Sequence, residues 1–437
     1  MSYLKHDNEF GAEFDSALNE LQICIQKLYS IRAIQETNEN KPIRLHDSTI
    51  ESSSAYSCIR AIVRNQITMG KLVDFYEKSY SDYLGGSFKS LSCNSGSSAN
   101  LLAISTLMQS GRLSVGDKVI VPALSWSTTV FPLVQYGLVP VFCDANDTDY
   151  NIDTYHLKSL IKKYNPSAIM LIHTYGCPAD MNQICSLCNE NNMLIIEDTC
   201  ESMGAEYSGR KAGTFGEVST FSTYYSHHIC TLEGGFTCFK DEELLSLAKS
   251  IRSHGWLRHL EDNDPIFSQY KELDKGFLFS NIGYNLRLSE PQAAIGIEQI
   301  KMLDSFIENR KQMAMIYSEY FQNHKDIFSF IEPLPEANSS WFGFPLVLKG
   351  RLDKQRRHFR DFLLDKKIET RPFLAGDFTI QPVMNKFQHI KDGDFSVTSA
   401  ITSSGLALPC HQGLKSKDIE KILYYVDQFI KLENYST

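Results

Sequence analysis

No apolar run in the chain is long enough to cross a bilayer, and its 11 cysteines, spread over 437 residues, follow no framework spacing. A membrane span needs about 20 mostly apolar residues, so none is predicted. The opening stretch MSYLKHDNEF has neither the apolar centre nor the small-residue cleavage site of a secretory leader. Scattered cysteines in an odd number are expected to be reduced, buried thiols, which points to the cytoplasm. Blocks of one charge are also missing. The 43 basic and 52 acidic residues are intermixed and leave a net charge of −9, which argues against nucleic acid or a membrane surface as partner and favours a small molecule. One pair, Cys185 and Cys188, has CxxC spacing, but no second pair follows and MNQICSLCNENN reads as a helix face, so no metal is expected there.

What the chain does have is core-forming material, 43% hydrophobic, enough for two domains. Leu18, Leu21, Ile25, Leu28 and Ile31 recur at helical spacing between Phe14 and about Glu36, predicting a peripheral leading helix before the polar stretch ETNENKP. A second helix is predicted over Ile67–Tyr83, ending at Gly85-Gly86. Then come seven short runs, KSLSCN, DKVIVPA, VPVFCDA, SAIMLIHT, MLIIEDT, VSTFSTY and GGFTCF. Runs apolar on both faces and joined through helices predict an α/β domain with a mostly parallel seven-stranded sheet covered by helices. A long helix after Pro291 should lead into a smaller α+β domain. That domain has strands in WFGFPLVLKG and GLALPC, and helices over Lys354–Lys367 and Ser416–Leu432. The expected division is an arm over 1–50, a large domain over 51–300 and a small one over 301–437.

Three segments carry chemistry. In Asn94-Ser95-Gly96-Ser97-Ser98-Ala99-Asn100, a strand gives way to a helix start whose free amides and hydroxyls could cradle a phosphate, or merely form an N-cap. Glu197-Asp198 ends an apolar strand at the sheet edge where α/β proteins bind ligands. There Asp198 could hold a pyridinium nitrogen protonated, or cap a helix. The third, Ser222 to Gly235, carries His227 and His228 ahead of Glu233-Gly234-Gly235. Adjacent side chains point different ways, so only one imidazole is expected in a site.

In this order the segments resemble the fold-type I aminotransferases that act on nucleotide sugars. The resemblance runs from about Thr68 to Phe429, through TMGKLVDFYEKSYSDYLGG, NSGSSANLLA, GDKVIVPALSWSTTV, GLVPVFCDANDTDYNID, HTYGCPADM, IIEDTCESMGAEYSGRKAGTFG, TFSTYYSHHICTLEGG and GYNLRLSEPQAAIG. It implies the aminotransferase fold and pyridoxal 5′-phosphate, or its pyridoxamine form, as cofactor. In that family a lysine before Glu-Gly-Gly binds the cofactor covalently. Here His227 stands in its place, and Lys211 and Lys240 fall outside the turn. An imidazole forms no Schiff base but transfers protons, with an ordinary pKa of about 6.5.

This exchange, with SSWFGFPLVL and IETRPFLAGDFTIQPVM, resembles the branch that removes the C3 hydroxyl of nucleotide-linked 4-keto-6-deoxy sugars. One subdivision, acting on CDP-sugars, carries an iron–sulfur cluster. Where it places most of its cluster cysteines, this chain has RSHGWLRHLEDNDPIFSQYKELDKGF, with none. The resemblance therefore favours the cluster-free subdivision that acts on GDP-4-keto-6-deoxymannose, with no iron–sulfur cluster and no metal.

Carried over by position, the resemblance gives Gly96, Ser97 and Ser222 to the cofactor phosphate, Trp126 to its ring and Asp198 to its nitrogen. Asn285 would reach the phosphate of a neighbouring subunit, implying a homodimer. Glu201 stands where many relatives have glutamine near the cofactor's phenolic oxygen. His227 is the expected proton carrier, and His228 a structural residue. Arg371 and Arg258 are candidates for the substrate diphosphate or the carboxylate of the amino donor, expected to be glutamate, because guanidinium pairs with such anions bidentately. Two rivals remain: an aminotransferase that leaves nitrogen on the sugar, and a silent relative that only binds cofactor or nucleotide sugar.

Overall fold

The computed structural model describes residues 10–35, 41–47, 49–260 and 264–434. Most of the opening stretch, Glu36 and much of ETNENKP lie outside them. The seven apolar runs form seven strands: β1 (Lys89–Cys93), β2 (Lys118–Pro122), β3 (Val139–Cys143), β4 (Ala168–Ile172), β5 (Leu194–Asp198), β6 (Val218–Ser222) and β7 (Gly235–Phe239). Their order in the sheet is β1-β7-β6-β5-β4-β2-β3. Strands β2 to β6 are parallel, and β7 lies antiparallel between β6 and β1. The loop joining β6 to β7 contains no helix that could return the chain for a parallel pairing, so the strand folds back directly.

Helices pack on the sheet and on one another: α1 (Gly11–Gln35), α2 (Ser52–Val63), α3 (Lys71–Tyr83), α4 (Gly96–Gln109), α5 (Ser127–Gln135), α6 (Thr154–Tyr164), α7 (Met181–Glu190), α8 (Glu242–Arg252) and α9 (Glu290–Gln322). Helix α1 is peripheral: Leu18 and Ile25 are buried, but Leu28 and Ile31 are exposed. Helix α2 escapes the periodicity reading because it opens on three serines, a turn-like start, yet it packs along α9. The CxxC pair sits on α7, with Cys188 buried.

Beyond α9 the chain forms β8 (Phe328–Phe330), β9 (Phe344–Leu348), α10 (Arg356–Asp365), β10 (Arg371–Pro372), β11 (Ile390–Lys391), α11 (Ser396–Ser404), β12 (Gly405–Leu408) and α12 (Ser416–Asn434). Four of these strands make an antiparallel sheet in the order β8-β9-β12-β10. The fifth, β11, joins the large sheet as an eighth strand parallel to β3, too short to register as an apolar run. Phe378, Met384 and Phe395 likewise pack into the core beneath the large sheet. The small sheet is held by rings from α9 and the strands, with Tyr317 stacked on Phe344 at 4.7 Å. Each buried ring of this size contributes on the order of 1.5–3 kcal/mol.

Candidate active site

A cavity of about 470 Å³ opens at the carboxyl edge of the large sheet, between the start of α4, the ends of β4 to β6, the β6–β7 loop and β10. It brings together eight residues predicted from the sequence: Gly96, Ser97, Trp126, Asp198, Glu201, Ser222, His227 and Arg371. Asn285 and Arg258 do not line it. Both are exposed, Asn285 accepting from Arg287 Nε at 2.9 Å, and Arg258 lying 3.9 Å over Trp256 and donating to the Gly276 carbonyl.

Asp198 ends β5, and strand alternation sends it and Glu197 to opposite faces. Glu197 is fully buried and accepts from the amides of Gly213, Phe215 and Gly216 and meets His173 Nε2 at 3.1 Å, fixing the turn before β6. Asp198 faces the cavity. Its Oδ2 accepts from Asn100 Nδ2 at 2.9 Å and Thr129 Oγ1 at 2.8 Å, and its Oδ1 from the Cys200 amide. Three neutral donors steer the carboxylate, and none supplies a counter-charge. Asn100 stands one helical turn after Gly96, so the helix that starts at the cradle also aims the carboxylate. Thr129, on α5, was not singled out in the sequence, and nothing in its context marks it.

At the start of α4, Ser95 caps the helix by accepting from the Ser98 amide. A Cβ on Gly96 would lie 2.7 Å from Ser222 Cβ, so only glycine lets the helix start meet the end of β6 and leaves a concave bed of amides and hydroxyls. Trp126, 55% exposed, presents an open ring at the cavity. The β6–β7 loop is pinned by paired threonine hydroxyls, Thr223 and Thr231 at 2.6 Å, into which a side chain at Gly234 would collide. No lysine among the described residues lines the cavity; Lys211 pairs instead with Glu206 at 3.2 Å.

The two histidines diverge. His228 is fully buried, and its Nε2 meets the Ser340 carbonyl at 3.1 Å. His227 lies on the cavity wall with its ring 4.9 Å from that of Phe342 and its Nδ1 enclosed without a hydrogen-bond partner. Burial, and then the positive charges of Arg371 and Arg310, push the His227 imidazole down to about 3, so it rests in the neutral, proton-accepting form. Burial pushes Glu201 up to about 7, although Arg371 Nη2 lies 3.5 Å away and the Tyr175 amide donates to it at 3.3 Å. Near neutral pH Glu201 can therefore either donate or accept a proton. Arg371 is held by the Tyr175 hydroxyl at 3.4 Å and lies over the Phe342 ring at 5.0 Å.

These residues fit a phosphorylated pyridine. The cradle that a Cβ would fill suits a phosphate at a helix start, the steered carboxylate suits a ring nitrogen that must stay protonated, and the open indole suits an aromatic face.

Comparison with known proteins agrees with this fit. A profile of the DegT/DnrJ/EryC1/StrS aminotransferase family matches residues 49–427, leaving α1 outside it. GDP-4-keto-6-deoxy-D-mannose 3-dehydratase of Yersinia pseudotuberculosis is 40% identical over 385 residues, covering 86% of this chain and 96% of that protein. Lipopolysaccharide biosynthesis protein RfbH of Salmonella typhimurium is 30% identical over 388 residues, 86% of this chain and 88% of its own. A solved GDP-4-keto-6-deoxymannose-3-dehydratase with a trapped PLP-glutamate geminal diamine superposes with a TM-score of 0.80 at 34% identity, covering 88% of this chain and 98% of that one.

Proposed function

The chain belongs to the DegT/DnrJ/EryC1/StrS aminotransferase family, and from that premise we propose that it is a pyridoxal-phosphate-dependent enzyme that removes the C3 hydroxyl of a nucleotide-linked 4-keto-6-deoxy sugar. The observation that carries this reading is the cavity itself. It keeps a steered carboxylate, a helix-start cradle and an open indole, yet offers a neutral imidazole where a covalent tether would stand. The sugar is a GDP-linked hexose, in keeping with the name of the 40%-identical relative, with a related heptose as the alternative. Glutamate is the amino donor, and ammonia leaves with the 3-deoxy-4-keto product destined for a lipopolysaccharide or capsule sugar.

When bound, the cofactor would supply a primary amine able to react with the C4 ketone and a conjugated ring able to accept electrons. The chain's residues do the rest. The α4 start, Ser97 and Ser222 bind the phosphate, and Trp126 covers the ring. Asp198 holds the proton on the ring nitrogen, and Glu201 shares one with the ring's phenolic oxygen. His227 moves a proton at the carbon bearing the reacting amine; general acid–base help of this kind is worth about 10²–10⁴-fold. It can accept that proton because its resting state is neutral. Among the described residues no lysine lines the cavity to recapture the cofactor, which favours elimination over a full amino transfer. Arg371 binds an anionic group of donor or substrate. The active unit we propose is a homodimer in which exposed Asn285 reaches the partner's phosphate, with Arg258 a further candidate for the substrate diphosphate or the donor carboxylate.

The test is to incubate the protein with pyridoxal phosphate, glutamate and GDP-4-keto-6-deoxymannose and to measure ammonia and product mass together. Ammonia in step with loss of the C3 oxygen is expected. An aminated sugar without ammonia refutes dehydration in favour of amino transfer, and no reaction across several nucleotide sugars leaves a binding protein.

A further inference from the structure

Behind the cavity wall lies a fully buried guanidinium, Arg310 on α9, 1% exposed. Charges this deep are normally paired, yet among the described residues Arg310 forms no ion pair with a carboxylate. Its donors go to backbone carbonyls instead. Nη1 donates to those of Trp341 at 3.0 Å, Phe342 at 3.2 Å and Cys410 at 2.9 Å, and Nη2 donates to Gln412 Oε1 at 2.8 Å. Gln412 in turn donates to the Asp47 carbonyl of the leading segment at 3.3 Å.

Two of these carbonyls, those of Trp341 and Phe342, belong to a strained turn. Trp341 is left-handed at φ 51°, a conformation bulky residues rarely adopt, and faces Tyr175, also at φ 51°. The Phe342 amide donates to the Tyr175 carbonyl at 2.9 Å, and the Ser340 amide to that of Gly176. Out of this turn the Phe342 ring projects between both imidazoles, 4.9 Å from His227 and 6.0 Å from His228. Backbone strain held by surrounding contacts is a mark of sites that must be preorganised.

We propose that Arg310, although it does not line the cavity, is a positioning residue for the reaction: its guanidinium pins the Trp341–Phe342 turn, fixing the Phe342 ring against His227, and sets an unpaired positive charge behind the imidazoles. The proposal rests on the reading of His227 as the proton carrier. Other groups also face His227: Arg371 on β10, Tyr224 and His228 on its own loop, His46 on the leading segment, and the carboxyls of Asp198, Glu201 and Glu233 around the cavity. Only Arg310 and Arg371 among these are cations at neutral pH. Arg371 has Glu201 beside it, whereas Arg310 has only dipoles.

Two variants of the full-length, cofactor-loaded protein test this. Gln412→Glu is nearly isosteric and gives Arg310 the counter-ion it lacks. Arg310→Lys keeps the charge but cannot span three carbonyls and an amide. The readout is the pH titration of His227 by side-chain NMR, assigned by the signal lost in His227→Asn, beside the acid limb of kcat/KM and thermal stability. In Gln412→Glu, the His227 titration and the acid limb should both rise by about one pH unit or more, because a paired guanidinium no longer opposes protonation. In Arg310→Lys, kcat should fall by about tenfold or more with the substrate KM little changed, as a displaced proton carrier predicts. A purely structural Arg310 would lower the melting temperature of both variants and leave the His227 titration where it stands in the parent; that result overturns the proposal. The NMR titration needs no turnover, so it is read even if the ammonia assay rejects dehydration.

Discussion

Replacing Gly96 by alanine puts a methyl group where the structure has none to spare. The added carbon would lie 2.7 Å from Ser222 Cβ and 3.1 Å from both Cys200 Sγ and Ser222 Oγ. Carbon atoms in contact settle at about 3.5–4.0 Å, so close to 1 Å must be found. Ser222 ends a buried strand hydrogen-bonded on both sides, and the start of α4 is therefore the part that yields. Overpacking of this kind costs on the order of 1–3 kcal/mol of stability. The groups pushed apart, the first amides of α4 and the Ser222 hydroxyl, are those assigned to the phosphate. Losing about one charge-assisted hydrogen bond, worth about 2 kcal/mol, weakens cofactor binding by about thirtyfold. Equilibrium titration with pyridoxamine phosphate, followed by fluorescence, reads the affinity, and a thermal melt reads the stability. Gly86→Ala is the control. Its φ of +79° makes alanine costly, but no atom lies within 4 Å of the added carbon, so stability should drop by about 1–2 kcal/mol with affinity intact. Wild-type affinity in Gly96→Ala, or an equal loss in Gly86→Ala, would refute the assignment of the cradle.

Returning a lysine to the loop, as His227→Lys, should let pyridoxal phosphate attach through a borohydride-reducible bond, seen as added protein mass, and should abolish dehydration. Unchanged dehydration would remove His227 from proton transfer. Acid should destabilise the fold through its buried imidazoles. Burial pushes His411 down to about 3 and His228 well below its ordinary value. An unfolded histidine takes up its proton near pH 6.5, so stability is lost as pH falls from about 6.5 toward 3. At pH 5.5 one such histidine costs about 1.4 kcal/mol. The stability lost between pH 7.5 and 5.5 in urea unfolding should therefore be smaller by about that amount in His411→Gln, in which the opposite contribution of Glu201 is unchanged. Equal losses in both proteins would contradict it.

Much of this was legible because the large domain writes its pattern locally. Each of the seven runs became a strand, since a strand buried on both faces leaves little room for charge between its ends, mostly apolar residues and small hydroxyls such as Ser92 and Thr220. The cradle and Asp198 announced themselves as turn residues at strand ends. What remained hidden depends on pairs distant in sequence. Asn100 and Thr129 meet Asp198 across 98 and 69 positions, and Arg371 reaches Glu201 only once β10 has been laid against β12. Strand β11 has two residues and no periodicity to show. Nothing near Arg310 in the sequence marks it, because its burial follows from the α+β layer folding over that face of α9, where Trp341, Phe342 and Cys410 supply its acceptors.

A cavity with no lysine on its wall among the described residues would also change how the protein is supplied. A tether makes a cofactor a permanent part; on the proposed reading, noncovalent contacts would set a residence time, and the working fraction of the protein would be an equilibrium with the free cofactor pool. With each turnover such a cofactor would have to be re-aminated or exchanged, and would serve as a recycled reagent. Activity in dilute extracts would then follow added pyridoxamine phosphate along a saturation curve, where a tethered relative would show a fixed titre.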